Sequence, residues 1–203
     1  MPYILGLTGN IASGKTTIGL MLLELGANSY VDADLVVHEL YLPGQPLVAD
    51  LVATFGQGVL DSGGGIDRRA LGALVFGDTQ KLHQLEEIVH PAVKAALLNR
   101  LREIPEGSVG VFDAVKLIES GYAPLCDGLW IVTCPPTTQL RRLMDIRGFT
   151  EDEARARLAA QPPVDDKLAL ATEVITNDGT LEDLRRQVTS GWQRFTASLA
   201  ARR

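Results

Sequence analysis

The sequence predicts an α/β protein built on a parallel sheet, and two observations carry that prediction. Short runs rich in apolar and β-branched residues alternate along the chain with longer stretches of helical character. Most of the short runs are continuously apolar, as expected for strands that helices cover on both faces. Strands that alternate with helices indicate a doubly wound sheet with right-handed crossovers.

The elements follow in chain order. Lys15–Leu25 predicts a helix that ends at Gly26, a residue type that readily takes the left-handed conformation after a helix. Thr150 and Glu153 have the spacing of a capping box, which predicts a second helix running to about Gln161. The predicted strands are Tyr3–Thr8, Ser29–Asp32, Val109–Val115, Leu129–Cys134 and Glu173–Thr176.

A long interval between the second and third strands contains no convincing strand. Asp61–Gly65 is rich in turn residues, and Pro91–Ile104 carries apolar side chains at helical spacing. We therefore expect a mostly helical insertion over residues 36–108. The core would comprise residues 1–35 and 109–203, including a short helical lid at about 141–163.

Composition excludes several classes of protein. The chain has 203 residues, of which 46% are hydrophobic, and a formal net charge of −6. These values argue against wholesale disorder and against a general nucleic-acid partner, which needs a broad basic face. No apolar run approaches the roughly 18 residues of a membrane span. The first residues lack the features of a signal peptide, and Cys126 and Cys134 are too few for a disulfide framework, so we expect a cytoplasmic protein.

Residues 9–16 fit the pattern G-x-x-x-x-G-K-[ST], between an apolar strand and an amphipathic helix. Glycines let successive backbone amides point at phosphate oxygens, and the helix adds its positive N-terminal end. Lys15 can reach the β- and γ-phosphates, and the hydroxyl of Thr16 can bind Mg²⁺. The alternative is a glycine-rich turn that binds nothing.

An acidic pair, Asp32 and Asp34, ends the second predicted strand, where ligands gather in such sheets. On an extended segment both carboxylates would point the same way. One could accept a proton from an attacking hydroxyl while the other holds Mg²⁺-bound water. Alternatively, Asp34 only caps a helix that starts at Leu35.

Several arginines follow the fourth predicted strand. A lid bearing them could close over the γ-phosphate and stabilise its charge. However, residues 139–167 hold as many acidic as basic side chains, which is also typical of a solvated helix. The set is Arg141, Arg142, Arg147, Arg155 and Arg157.

Taken together, the motifs make the chain resemble the dephospho-coenzyme A kinases. The resemblance covers nearly the whole sequence, and its motifs stand in the family's order. They are the loop from Gly6 to Thr16, the Asp-Ala-Asp of residues 32–34, and the blocks Ile66–Leu71, Leu85–Pro91, Glu153–Gln161 and Val174–Gly179.

This resemblance implies a three-layer P-loop kinase fold with a five-stranded parallel sheet, a helical substrate-binding insertion and a short helical lid. It implies transfer of the γ-phosphate of ATP, with Mg²⁺, to the ribose 3′-hydroxyl of dephospho-coenzyme A. The implied partners are these small molecules, with no nucleic acid and no membrane. The chain would act as a monomer or a small homo-oligomer.

The resemblance also assigns roles to individual residues. The catalytic set would be Asp34 as the base with Asp32 beside it, Lys15 and Arg142, and the metal would be held by Thr16 and Asp32. His90 has a structural alternative, because Pro91 suits a first helical turn. The residues implied to bind ATP are Gly9, Asn10, Ile11, Ala12, Ser13, Gly14, Lys15, Thr16, Thr17, Arg142, Arg147 and Asn177. Those implied to bind the acceptor are Asp34, Arg68, His90, Lys116, Glu119 and Arg157.

The chain departs from the family pattern at a few positions. Asn10 and Ala12 stand where the family usually has glycine, and we expect Ala12 to hold its backbone at negative φ. The block after the third strand has lost a proline and gained Lys116, and Thr172 replaces an acidic residue. The competing hypotheses are another small-molecule kinase on the same scaffold and a nucleotide-dependent switch without transfer activity.

Overall fold

The computed structural model describes residues 1–201, without the side chain of Asp165, and shows one five-stranded sheet. The last two residues of the predicted core, 202 and 203, lie outside that range. All five predicted strands are confirmed, with ends that differ by one or two residues at most. The strands are β1 (Tyr3–Gly9), β2 (Ser29–Asp32), β3 (Val109–Asp113), β4 (Gly128–Thr133) and β5 (Glu173–Thr176), in the spatial order β2-β3-β1-β4-β5.

Strand β1 lies at the centre of the sheet and is parallel to both neighbours. Leu5 pairs with Val111 of β3 on one side and with Gly128 of β4 on the other. Every residue of β1 after Tyr3 is buried, so both faces of the sheet are covered there. The predicted layered α/β fold with a parallel five-stranded sheet is confirmed, and it places the carboxyl end of β1 between those of β3 and β4.

Helices account for most of the remaining chain. The first and last of them share an apolar core with the sheet, in which Leu7, Ile18, Trp130 and Val188 are almost fully buried. The helices are α1 (Lys15–Glu24), α2 (Ala33–Leu40), α3 (Pro46–Phe55), α4 (Arg68–Val75), α5 (Thr79–Arg102), α6 (Pro136–Asp145), α7 (Glu151–Ala159), α8 (Asp165–Leu168) and α9 (Leu181–Ala200).

The chain divides into two compact units. The first comprises residues 1–31 together with the chain from 104 onward, and it contains nearly all of the sheet. The second comprises residues 32–103 and consists of α2 to α5 around its own apolar core, which includes Leu51, Val59 and Leu71. Predicted turn Asp61–Gly65 is confirmed, because the Asp61 carboxylate accepts hydrogen bonds from the amides of residues 63 and 65.

Helix α5 differs from the sequence-based prediction. Pro91 does not open a helix but lies in the middle of one that begins at Thr79 and ends at Arg102. Asp78 caps its N-terminus by accepting hydrogen bonds from the amides of Gln80 and Lys81. Proline in a helix removes one backbone hydrogen bond, and the length of this helix tolerates that loss.

Two predicted helix ends are confirmed. Helix α1 stops before Gly26, which has a φ of +110°. Helix α7 begins after Thr150, whose side chain and that of Glu153 form both hydrogen bonds of a capping box. Among residues 1–201, no helix combines the length and the apolar character that crossing a membrane would require.

Candidate active site

The loop from Gly9 to Thr17 joins the carboxyl end of β1 to the first turn of α1. Both of its glycines are required, because each has a positive φ and leaves no room for a Cβ. A Cβ on Gly9 would lie 2.3 Å from the carbonyl oxygen of Val132, and one on Gly14 would lie 2.1 Å from Nδ2 of Asn177. Their φ angles are +149° and +102°. This backbone is therefore fixed by the sequence as a tight loop of amides at the start of a helix.

Ala12 contradicts the prediction of negative φ, because its φ is +58°. Contacts from elsewhere in the chain explain the difference. The carbonyl oxygen of Ala12 accepts a hydrogen bond from Nη1 of Arg142 at 3.2 Å and lies 3.9 Å from Sγ of Cys134. A residue with a Cβ is thus held in the left-handed region, where it is strained by roughly 1 kcal/mol or more.

We expect Ala12→Gly to raise the free energy of unfolding by roughly 0.5–1 kcal/mol, because glycine takes this conformation without strain. Thermal and denaturant unfolding of the two proteins would measure the change. Leu20→Gly, in the exposed part of neighbouring helix α1, should instead lower stability. A fall in stability on Ala12→Gly would show that the loop does not strain its alanine.

Lys15 and two threonines occupy the first turn of α1. Nζ of Lys15 donates to the carbonyl oxygen of Gly9 at 3.1 Å, so its ammonium group lies over the loop. Thr16 and Thr17 are exposed at the same helix end. The first turn of this fully described helix carries no acidic residue, so the turn itself adds no negative charge next to a bound anion.

Arg142 of α6 links the loop to the residue that follows β5. Its guanidinium donates to the carbonyl oxygens of Ala12 and Ser13, and also to both the carbonyl and the side-chain oxygens of Asn177, all at 3.2 Å. Asn177 completes the link by donating from Nδ2 to Ser13 at 2.7 Å. The structure therefore brings the predicted ATP-binding residues Arg142 and Asn177 together against the loop.

The other predicted lid arginines do not share this environment. Arg147 and Arg157 are exposed, and Arg157 stacks on the ring of Phe149 at 4.2 Å from its centroid. Arg155 forms an ion pair with Glu151 on the surface of α7. Their predicted contacts with phosphate remain predictions.

The end of the lid contacts the loop through hydrogen bonds that the sequence did not predict. The amide of Ile11 donates to Oε1 of Gln161 at 3.1 Å, and Nδ2 of Asn10 donates to the carbonyl oxygen of Pro162 at 3.3 Å. A cavity of about 340 Å³ adjoins these contacts and is lined in part by Cys134 and Gln139. There is thus open space directly beside the loop.

Both cysteines are free thiols. Burial, with a smaller effect of Asp127, raises the pKa of Cys126 to about 12. Burial also raises the pKa of Cys134, an effect that Arg142 opposes and Asp178 reinforces. Neither cysteine is therefore suited to act as a nucleophile at neutral pH.

The acidic pair differs in geometry from the prediction. Helix α2 begins at Ala33, so Asp34 lies in a helix rather than on an extended segment. Asp32 is the N-cap, and its Oδ1 accepts hydrogen bonds from the amides of Asp34 and Leu35 at 2.8 and 3.2 Å. The alternative in which Asp34 caps this helix is wrong. Asp34 is exposed in the first helical turn, and its role as a base remains a prediction.

Other predicted acceptor contacts lie in the second unit or on the loop after β3. Arg68 is the first residue of α4 and is exposed, and His90 is exposed within α5. Lys116 and Glu119 follow β3, both exposed. The contacts of these four residues with the acceptor remain predictions.

Two buried charged residues were not predicted from the sequence. Asp113 is 4% exposed at the end of β3, opposite Leu7 of β1, and accepts a hydrogen bond from the hydroxyl of Tyr30. An acidic residue that directly ends an apolar strand was the available signal. Lys167 of α8 is 3% exposed and contacts the loop after β3, and no local pattern marked it.

Among the described residues, no group of three or more His, Cys, Asp and Glu side chains could hold a metal ion by itself. Mg²⁺ does not need such a cage, because it is usually held by one or two protein oxygens together with phosphates and waters. The hydroxyl of Thr16 lies in the helix after β1, and the carboxylate of Asp113 ends the neighbouring strand β3, so both offer oxygen ligands. The donor set therefore fits Mg²⁺ bound together with a nucleotide.

A loop of amides between the central strand and the first helix of a parallel sheet, with a lysine folded over it, defines the class of P-loop kinases and related nucleotide-binding proteins. Within this class, the family model for dephospho-CoA kinase matches residues 3–183. The chain belongs to the dephospho-CoA kinase family.

Individual relatives support this membership. The dephospho-CoA kinase of Symbiobacterium thermophilum is 43% identical over 192 residues, which cover 94% of this chain and 80% of the relative. Protein TT1252 of Thermus thermophilus has a crystal structure that matches with a TM-score of 0.81 and 34% identity, covering 95% of this chain and 97% of that one. The dephospho-CoA kinase of Campylobacter jejuni matches with a TM-score of 0.73 and 25% identity, over 98% and 99% of the two chains.

Proposed function

We propose that this protein transfers the γ-phosphate of ATP to the ribose 3′-hydroxyl of dephospho-coenzyme A, the last step in making coenzyme A. The observation that carries the proposal is the loop at residues 9–17, whose glycines are required by close contacts with neighbouring atoms, in a chain that matches the family model over residues 3–183. Phosphoryl transfer needs mainly positioning and charge stabilisation, and such a loop supplies both to a triphosphate.

On the ATP side, the roles follow from position. The loop amides and the N-terminus of α1 would bind the β- and γ-phosphates, and Lys15 would exchange its contact with Gly9 for the γ-phosphate. Arg142 and Asn177 would hold the loop and border the nucleoside, since they already join it to the end of β5. Arg147 and Arg157 would approach the phosphates from the lid.

Mg²⁺ would be held by the Thr16 hydroxyl and by carboxylates through water. Asp32 is the carboxylate that the resemblance implies, and we add Asp113, which ends the strand next to β1. The ion would neutralise charge on the phosphate oxygens of the bound nucleotide.

On the acceptor side, Asp34 would accept the proton of the 3′-hydroxyl as that oxygen attacks the γ-phosphorus. Its exposure in the first turn of α2 leaves the carboxylate accessible to a substrate. Unit 32–103 would bind the coenzyme A portion, with contacts from Arg68 and His90, and Lys116 and Glu119 would contribute from the loop after β3. We further propose that the enzyme works in the cytoplasm as a monomer or a small homo-oligomer.

ADP formation by the purified protein, measured directly by chromatography of quenched reactions, tests the proposal. We expect it to depend on dephospho-coenzyme A and on Mg²⁺, and to be abolished by excess EDTA. Shikimate, adenosine and pantetheine serve as alternative acceptors. Equal rates with one of these would favour another small-molecule kinase, and tight ATP binding without any transfer would favour a switch.

A further inference from the structure

Lys167 carries a positive charge in an environment that almost excludes solvent. Its side chain is 4% exposed, and its Nζ lies 3.1 Å from Oε1 of Glu119 and donates to the carbonyl oxygen of Val115 at 2.9 Å. Buried lysines are rare, because removing an ammonium group from water is unfavourable unless it is paired. Val115 and Glu119 both lie on the loop after β3, so this cation joins α8 to that loop.

That loop is also joined to the strand that precedes the phosphate-binding loop. The hydroxyl of Thr8, the residue before Gly9, donates to the same carbonyl oxygen of Val115 at 3.1 Å. Val115 thus receives one hydrogen bond from β1 and one from Lys167. Glu119 is still 36% exposed in its side chain, so Lys167 fixes a carboxylate that solvent and substrate can reach.

The segment that carries Lys167 is attached at its other end to the phosphate-binding loop. We call residues 161–167 the strap. At its start, Gln161 accepts from the amide of Ile11, and Pro162 accepts from the side chain of Asn10. The strap therefore contacts the ATP loop at one end and the loop of Glu119 at the other.

We propose that Lys167 is a positioning residue for the acceptor: its buried ammonium group holds Glu119 and the 115–119 loop in the arrangement that binds dephospho-coenzyme A. The proposal rests on the proposed function, in which Glu119 contacts that substrate. Through the strap, the same cation ties the acceptor loop to the phosphate-binding loop. Lys167 contacts Glu119 directly but reaches the phosphate-binding loop only through the strap. Loss of its charge should therefore weaken acceptor binding more than ATP binding.

Steady-state kinetics of Lys167→Met, with each substrate varied separately, test this proposal. Loss of a charge-assisted contact at a buried site predicts that KM for dephospho-coenzyme A rises roughly tenfold or more, while the dissociation constant of ATP changes by less than about threefold. Lys167→Arg keeps the charge and should recover part of the loss. Arg194→Met is the control, since it removes an exposed cation from its pair with Glu173 and should change neither value.

A double mutant distinguishes positioning through Glu119 from a general loss of stability. Glu119→Gln should raise KM for the acceptor, and adding Lys167→Met should increase it little further, because both changes break the same contact. If Lys167→Met only lowers the melting temperature, or weakens both substrates equally, or adds fully to Glu119→Gln, the proposal is wrong. A wild-type protein that fails to phosphorylate dephospho-coenzyme A would instead overturn the proposed function.

Discussion

Replacing Asp34 with asparagine is expected to lower kcat by roughly 10²–10⁴-fold, the usual contribution of a positioned general base. The amide keeps the size of the side chain but cannot accept the proton of the acceptor hydroxyl. ATP affinity should stay within about threefold, because the phosphates are bound by the loop at residues 9–17 rather than by this carboxylate. Single-turnover phosphoryl transfer and equilibrium ATP binding, measured on the same preparation, give both quantities.

We expect Asp34→Asn to change the free energy of unfolding only slightly, so that a loss of turnover can be assigned to the chemical step. Asp34 is exposed in the first turn of α2, where removing a negative charge costs roughly 0.3–1 kcal/mol. Asp50→Asn is the matched control, an exposed carboxylate of the same unit on α3. If Asp34→Asn turns over as fast as the wild type, Asp34 is not the general base. The acidic pair would then act only at the N-terminus of α2.

Replacing Lys15 with methionine should lower kcat/KM for ATP by roughly 10²–10³-fold or more. The stem of the side chain is kept, while the charge that now contacts the Gly9 carbonyl, and would contact the γ-phosphate, is lost. We expect both weaker ATP binding and slower transfer, since a charge on the γ-phosphate acts in the ground state and more strongly in the transition state. Initial rates at varied ATP, with nucleotide binding measured separately, divide the loss between the two.

Arg185→Met provides the control for a lost cation on the surface, because Arg185 pairs with Glu24 at the other end of the same helix α1. It should leave kinetics unchanged. Lys15→Arg should also be impaired, because a planar guanidinium does not replace a compact ammonium group in so tight a loop. Full activity in Lys15→Met would mean that the loop binds phosphate without its lysine.

Local patterns were enough to predict the sheet and most helix ends. Continuous apolar runs identified the strands, since they are buried on both faces, and Thr150 with Glu153 specified its capping box within four residues of sequence. The predicted start of α5 was wrong because proline is common in the first turn of a helix, whereas twelve helical residues precede Pro91 and the helix continues through it.

Features that depend on distant residues could not be predicted. Ala12 takes a positive φ where Arg142, 130 residues away, binds its carbonyl oxygen. Lys167 is buried by contacts with a loop about fifty residues earlier in the chain, and its surrounding sequence looks like that of an exposed helix. Asp113 could have been identified from the sequence, because it is an acidic residue at the end of an apolar strand. The candidate site was therefore predictable in its phosphate-binding loop and not in the contacts that hold the loop.

Identification of the product tests the central claim most directly. Purified protein, Mg-ATP and dephospho-coenzyme A should yield ADP and a product one phosphoryl group heavier than the acceptor, whose ³¹P spectrum shows a new monoester on the 3′-oxygen of the ribose. Formation of coenzyme A in a one-to-one ratio with ADP is the result that we expect. ADP formed at the same rate without the acceptor, or a phosphate placed on any other oxygen, would contradict the account.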